Sequence, residues 1–520
     1  DDTDTDDTNV TDTEDTGDTD DTNDTDDTDD TDTDDTEIID TANPWDPETL
    51  AGAGWLQGRD IGAAVSTSAF SDDTDYVTLF GEQFSSFTPE NATKWGSLQS
   101  EKGTWDFSAA ESMLAFAEDQ GMVFRGHTLA WHYQLPDWID DETTPEIFEQ
   151  AVHDHFEAVA AWDAGRIETW DVVNEAINDD GSVRESTWSE SLGDDWVAEM
   201  FVLADVHFPH AELFYNDYSI SWLNTKSDAV YTMAEQMVAD GIPLDGIGMQ
   251  MHVSTGAAPD PDDLATNIRR FGDLGLEVHI TELDVQMRDV AGAEEARLYA
   301  QSRTWYRVVG ACISEPACTS ISFWGFTDRY SWIDSWYGAD DPLPWDEDLQ
   351  PKPAFDAIMA ALREEPLPGC GEELVMNGDF ESGIDEWYTW GNTIEPSTNA
   401  HSGSGAVLVT DREDSWNGVV QDITDLVAET IPYEASAWVM LDGASSDTVS
   451  LTLLVEDETE TTWTHISDET ATSSGWTELS GTITIDAGDS LESVELYVEG
   501  PEPGVDMLVD DVSFVPSCSL

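Results

Sequence analysis

Two stretches of this chain run through apolar and β-branched residues into a glutamate: Trp170-Asp171-Val172-Val173-Asn174-Glu175 and His279-Ile280-Thr281-Glu282-Leu283-Asp284. Strand interiors are built that way, and a charge at the carboxyl end of such a strand is not a packing residue. Two isolated carboxylates delivered to one end of a sheet can cleave a glycosidic bond, one donating a proton while the other attacks.

The elements that must position them alternate in type. Between residues 45 and 365, short apolar runs at 61–65, 83–88, 122–127, 169–175, 212–217, 246–250, 278–282 and 321–325 read as strands. Amphipathic stretches such as 109–120, 145–164 and 293–310 lie between them. Eight strands with helical crossovers predict a (β/α)8 TIM barrel. The alternative is an open doubly wound sheet, but that concentrates its site at one crevice, whereas polar or aromatic residues decorate nearly every strand end here.

Prolines and glycines at 364–371 mark a boundary, and beyond Cys370 the pattern changes to period two with turns between. Segments 406–410, 434–441, 448–455, 476–485, 493–499 and 507–514 predict an all-β sandwich, jelly-roll-like. Residues 1–40 are an Asp/Thr-rich tract that can bury nothing and repels itself, so a disordered linker is expected there. The predicted organisation is therefore linker 1–40, α/β barrel 41–366 and β-sandwich 367–520.

Composition bounds the rest. The 520 residues carry 113 Asp and Glu against 17 Lys and Arg, a net charge of -96. Self-repulsion of that size loosens a compact state unless salt screens it, with a Debye length of about 3 Å at 1 M. A high-salt setting is expected, the plainer alternative being an acidic secreted protein. Nucleic acid is a poor partner for such a surface. The 22 tryptophans provide flat aromatic surface of the kind that sugar rings stack on. No apolar run is long enough to span a membrane. The N-terminal tract contains no apolar signal region, so any signal peptide is expected to have been removed already or to lie outside this sequence. The four cysteines fall into two pairs, Cys312 with Cys318 and Cys370 with Cys518, and show no zinc spacing, which fits an oxidising, extracellular compartment.

Five blocks carry a resemblance: Thr88 to Trp95, Arg125 to His132, Trp170 to Ala176, Ile280 to Asp284, and Trp324-Gly325 with Ser331-Trp332. With these the segment resembles glycoside hydrolase family 10, the endo-β-1,4-xylanases. That resemblance implies a retaining mechanism on xylan, with carboxyl groups about 5–5.5 Å apart. It implies that Glu175 is the acid/base and Glu282 the nucleophile. Asn174 would meet the sugar 2-hydroxyl, and His252, braced by Asp284, would hold Glu282; a satisfied core histidine is the alternative for His252. Glu90, Asn91, Lys94, His127, Trp131, Gln134, Gln250, Trp324 and Trp332 would bind the substrate. No cofactor is implied for catalysis, and a monomer is expected.

Residues after 370 resemble a xylan-binding β-sandwich module through 374–381, 412–418 and 509–514. Arg412 and Trp416 are the first ligand candidates, with Trp387, Trp390 and Tyr497 behind them. Glu381 and Asp511 resemble a pair that holds a structural calcium. The family resemblance implies a Cys312–Cys318 disulfide, two free buried thiols being the alternative, and the positions of Cys370 and Cys518 at the two ends of the module favour a second bridge. The expectation is a secreted or surface-tethered, salt-adapted xylanase. The alternatives are a β-1,4- or mixed-linkage glucanase on the same barrel and a non-catalytic carbohydrate-binding surface protein.

Overall fold

The computed structural model describes residues 43–140, 142–487 and 490–518; the acidic tract 1–40 lies outside them. Eight parallel strands form a closed circuit: β1 (Asp60–Val65), β2 (Ser86–Pro89), β3 (Val123–Trp131), β4 (Thr169–Asn174), β5 (Glu212–Asp217), β6 (Gly246–Met249), β7 (Glu277–Gln286) and β8 (Cys318–Phe323). Each pairs with the next, and β8 closes on β1. Helices such as Ser108–Gln120, Pro145–Asp163 and Glu294–Ser314 cover the outside. Burial on both faces explains the near-continuous apolar composition of the strands. The interior fits large residues against small ones: a Cβ on Gly126 would stand 2.3 Å from the ring of Trp170, which is fully buried.

The stretch 83–88 is corrected. Residues Thr74–Gln83 are helical, capped by the Asp73 carboxylate, which accepts the N–H groups of Asp75 and Tyr76. Tyr76 and Phe80 are both buried on one face of that helix, so helical period carries the chain through Gln83 before β2 begins.

The C-terminal part is an antiparallel two-sheet sandwich. Its strands are β9 (Thr393–Ser397), β10 (Ala406–Thr410), β11 (Val419–Asp422), β12 (Pro432–Asp442), β13 (Asp447–Glu456), β14 (Thr461–Ala471), β15 (Thr477–Thr484), β16 (Ser493–Glu499) and β17 (Asp506–Pro516). One sheet has the order β9-β10-β17-β12-β15, the other β11-β16-β13-β14. Disulfides join Cys312 to Cys318 and Cys370 to Cys518.

Barrel and sandwich share a seam. In the loop after β7, Gly292 forms a β-bridge with Ala428. The Ala293 N–H donates to the Val427 carbonyl at 3.1 Å, and the Glu429 N–H to that of Ala291 at 3.0 Å. The Glu429 carboxylate accepts the N–H of Ala291 at 3.0 Å and of Ala487 at 2.7 Å. Val290, Ala296 and Ala300 of the barrel belong to the same buried cluster as the sandwich core. A Cβ on Gly292 would meet the Ala428 Cα at 2.5 Å, so only glycine allows this approach.

Candidate active site

Glu175 directly follows β4 and Glu282 lies in the second half of β7. The strands are parallel, so both side chains reach the carboxyl end of the barrel, where such barrels place their chemistry. Backbone bonds set the register there: the Glu175 N–H donates to the Asn216 carbonyl at 2.9 Å, and the Glu282 N–H to that of Gln250 at 2.8 Å.

A run of amides joins the two carboxylates. Gln250 Nε2 donates to Glu175 Oε1 at 3.0 Å and to Asn174 Oδ1 at 3.2 Å. Asn216 Nδ2 donates to the same Asn174 oxygen at 2.9 Å and to Glu282 Oε1 at 2.7 Å. The Thr281 hydroxyl in turn donates to Asn216 Oδ1 at 2.6 Å, which fixes that amide's orientation.

The other Glu282 oxygen faces His252 Nε2 at 3.2 Å, and His252 Nδ1 meets Asp284 Oδ2 at 2.7 Å. Burial alone would lower the His252 pKa, but the adjacent Asp284 and Glu282 outweigh it and push it up to about 10. Burial alone would raise the Glu282 pKa; the hydrogen bond from His252, and then the charges of His127 and His252, hold it below the usual range. Glu282 is thus kept anionic. Trp332 Nε1 donates to Asp284 Oδ2 at 2.9 Å, tying the wall of the site to the same pair.

Glu175 has φ 60°, a left-handed backbone that is costly for a side-chain-bearing residue. The surroundings fix it. Arg184 Nε donates to its carbonyl at 2.9 Å, and the next N–H, of Ala176, donates to the Tyr215 hydroxyl at 3.1 Å. That hydroxyl donates to Asp217 at 2.5 Å, and Asp217 pairs with buried Lys226 at 2.8 Å. Burial pushes the Asp217 pKa up to about 6 against the pull of Lys226.

On the β2 side, Lys94 Nζ donates to Asn91 Oδ1 at 3.0 Å and lies 4.7 Å from the centre of the Trp131 ring. Lys94 is 5 % exposed. Burial lowers its pKa to about 8, while Glu282, Glu90 and Glu175 pull the other way. Glu90 accepts from Asn91 Nδ2 at 2.9 Å, and burial raises its pKa against the effect of Lys94. Gln134 Nε2 donates to Asn91 Oδ1 at 3.2 Å from a more exposed position. His127 Nδ1 meets Asp171 Oδ2 at 2.8 Å, and Asp171 is also held by Arg125. The His127 ring stands 5.2 Å from Trp324, and His252 stands 6.2 Å from Trp324 and 4.9 Å from Trp332.

The structure therefore gathers Glu90, Asn91, Lys94, His127, Trp131, Gln134, Asn174, Glu175, Gln250, His252, Glu282, Asp284, Trp324 and Trp332 around one cleft. Sequence reasoning missed Asn216, which touches Asn174 and Glu282, and the brace of Asp217, Arg184 and Lys226. The signal was present: Asn216-Asp217-Tyr218 is a polar group at a strand's carboxyl end, like Asn174-Glu175.

In the sandwich, Arg412 is corrected as a ligand contact. It is 3 % exposed, and its guanidinium donates to the carbonyls of Asn417, Ser415 and Val505 among others, which staples two loops together. Trp387 is also buried, in the core. Trp416 and Trp390 are about half exposed. Tyr497 is buried, its ring 5.0 Å from the half-exposed Trp463.

Glu381 and Asp511 grip one turn from two sides. Glu381 accepts the N–H of Gly405 at 2.7 Å and the Ser404 hydroxyl at 2.8 Å; Asp511 accepts the Ser402 hydroxyl at 2.8 Å and faces His401 Nδ1 at 2.6 Å. Two carboxylates supply at most four of the about six to eight oxygens that calcium takes. Among the described residues no group of three or more His, Cys, Asp or Glu side chains could hold a metal.

Comparison with known proteins matches residues 53–361 to the model of glycosyl hydrolase family 10 and residues 372–504 to that of a carbohydrate binding domain. Endo-1,4-beta-xylanase B of Thermotoga neapolitana is 36 % identical over 309 residues, 59 % of this chain and 89 % of that protein. Endo-1,4-beta-xylanase A of Humicola insolens is 35 % identical over 290 residues, 55 % of this chain and 77 % of that protein. The crystal structure of xylanase 10B from Thermotoga petrophila RKU-1 in complex with xylobiose superposes with a TM-score of 0.59 at 37 % identity, covering 61 % of this chain and 97 % of that one. The family match spans more than half of the sequence and the relatives align over most of their own lengths: the chain belongs to glycosyl hydrolase family 10.

Proposed function

We propose that this chain is an endo-1,4-β-xylanase in which Glu282 attacks the anomeric carbon of a bound xylosyl unit while Glu175 protonates the leaving oxygen. Water, deprotonated by Glu175, then attacks the anomeric carbon of the glycosyl-enzyme, breaking its bond to Glu282 and releasing the sugar with retained configuration. No cofactor takes part. The observation that carries the assignment of roles is the asymmetry of the two carboxylates: Glu282 is held anionic by His252 and Asn216, as a nucleophile must be. Glu175 instead receives the neutral Gln250 amide. Asn174, fastened between Gln250 and Asn216, is the contact for the sugar 2-hydroxyl, which strengthens toward the oxocarbenium-like transition state. Lys94, Asn91 and Glu90 take hydroxyls, and Trp324 and Trp332 take the apolar ring faces.

The test is xylan hydrolysis with anomer detection by NMR. Loss of activity in Glu282→Gln, against an unchanged exposed Glu→Gln control, and a β-configured first product support the proposal. Equal activity of variant and control removes the nucleophile assignment. The same assay on cellulose and mixed-linkage glucan decides the substrate; the names of the relatives favour xylan.

Four finer readings belong with this one. The two disulfides favour an oxidising, extracellular location. The charge of -96 favours a high-salt setting. The half-exposed Trp390 and Trp416 are the sandwich's sugar-binding candidates, tested by retention on xylan gels. Calcium at Glu381 and Asp511 would share their carboxylate oxygens with the donors of the 401–405 turn. A melting temperature that rises in CaCl2 over EDTA, and no longer does so in Glu381→Gln, supports it; equal melts exclude it.

A further inference from the structure

Trp336 is the most exposed large apolar side chain of the barrel, 76 % accessible, with Tyr337 beside it at 56 %. Both sit on the short helix Ile333–Tyr337 in the loop after β8. The backbone that carries this pair is anchored to its surroundings. Ile333 is fully buried beneath it. The Asp340 N–H donates to Asp334 Oδ1 at 3.1 Å, and the buried Asp340 carboxylate accepts the Met287 N–H at 3.2 Å. Arg288, on the loop that leaves β7, stacks 4.9 Å over the Tyr337 ring.

The tip is also continuous with the cleft. From the nucleophile outward the rings follow one another: His252 to Trp332 at 4.9 Å, then Trp332 to Trp336 at 6.4 Å and to Tyr337 at 5.8 Å. Trp332 is fixed by its hydrogen bond to Asp284. An aromatic face carried on an anchored turn at the end of such a run is presented to solvent where a chain leaving the cleft can stack on it.

We propose that Trp336, with Tyr337 beside it, is a remote platform for a xylan chain. It binds a sugar unit beyond those enclosed by Trp324 and Trp332 and makes the enzyme favour long substrates. The proposal rests on the xylanase reading above. Binding at a distance from the scissile bond contributes to turnover only for chains long enough to reach, so its signature is dependence on length.

The experiment measures kcat/KM for the full chain, Trp336→Ala and Trp336→Phe on xylo-oligosaccharides of increasing length and on polymeric xylan. The expected result is a loss in Trp336→Ala that grows with length to about 3- to 10-fold, the range of a single aromatic contact. Trp336→Phe should recover most of it. The same loss at every length, or none at any length, overturns the proposal while the xylanase reading stands. A parent chain that cleaves no xylan overturns that reading, and the platform with it. A loss confined to binding a protein partner, with oligosaccharide kinetics unchanged, assigns the tip to a different occupant and also overturns it.

Discussion

Glu175 and Glu282 carry the same side chain, and only their neighbours divide the labour. Glu282 faces an imidazole that is itself paired with Asp284 and has its pKa held below the usual carboxylate range, whereas Glu175 faces a neutral amide. Glu175→Ala should lose about 10²- to 10⁴-fold in kcat on xylan, the usual worth of general acid catalysis. It should lose far less in the first step on an aryl β-xyloside whose leaving group needs no proton, and equal losses on both substrates would remove the acid role. Lys94 supplies a second prediction. Burial brings its pKa to about 8, so it is charged below that pH and neutral above it. Its attraction for the neighbouring carboxylates, and the charge it would offer a sugar hydroxyl under the proposed function, weaken as pH rises through that value. kcat/KM should therefore fall on an alkaline limb near pH 8, and Lys94→Gln should be less active and lack that limb. Arg412 shows the limit of reading residues alone: an arginine serving a ligand and one serving backbone carbonyls look the same in a sequence, and burial decides between them.

Among the elements, the strands that matter most for chemistry end in polar residues, and that made β4 and β7 legible. Segments without that contrast were not. β14 (Thr461–Ala471) is largely exposed and polar along one edge of its sheet, so no alternation of apolar residues announced it. Phe80 and Phe84 fit either a helical face or a strand run, and the helix cap at Asp73 settled the matter. Glycine positions inside the barrel were also silent. Gly248 on β6 has no side chain because Asn216 crosses there: a Cβ would stand 2.3 Å from Asn216 Oδ1 and 3.0 Å from the Thr281 methyl. Gly248→Ala should push that amide off Glu282 and reduce kcat/KM by about 10- to 100-fold, as a misplaced catalytic contact does. The accompanying overpacking should cost about 1–3 kcal/mol, measured by denaturant unfolding. A fully active Gly248→Ala would show that Asn216 does not need this position.

At the scale of the whole molecule, barrel and sandwich are fastened by a β-bridge, a shared apolar cluster and a carboxylate accepting one N–H from each side. Such a seam should make them unfold together. Calorimetry of the full chain should give one transition, and Glu429→Ala, which leaves two N–H groups without their acceptor, should split it into two. Two transitions in the parent would show that the seam contributes little. Charge acts at the same scale. The melting temperature should rise between about 0.1 M and about 3 M NaCl as screening relieves the repulsion. Equal midpoints would leave the acidity without a stabilising dependence on salt.

Sequence alone determined the barrel and sandwich classes, most of their strands and the two glutamates, because period, strand-end polarity and motif spacing are local properties of a chain. It also indicated both cysteine pairs. Tertiary structure decided which polar groups meet. Asn216 reaches Glu282 from a strand 66 residues away, His252 meets it across 30, and Glu429 binds Ala291 across 138. Those partnerships depend on where a closed barrel and a packed sandwich bring distant strands within hydrogen-bond reach, and no periodicity along the chain records that distance.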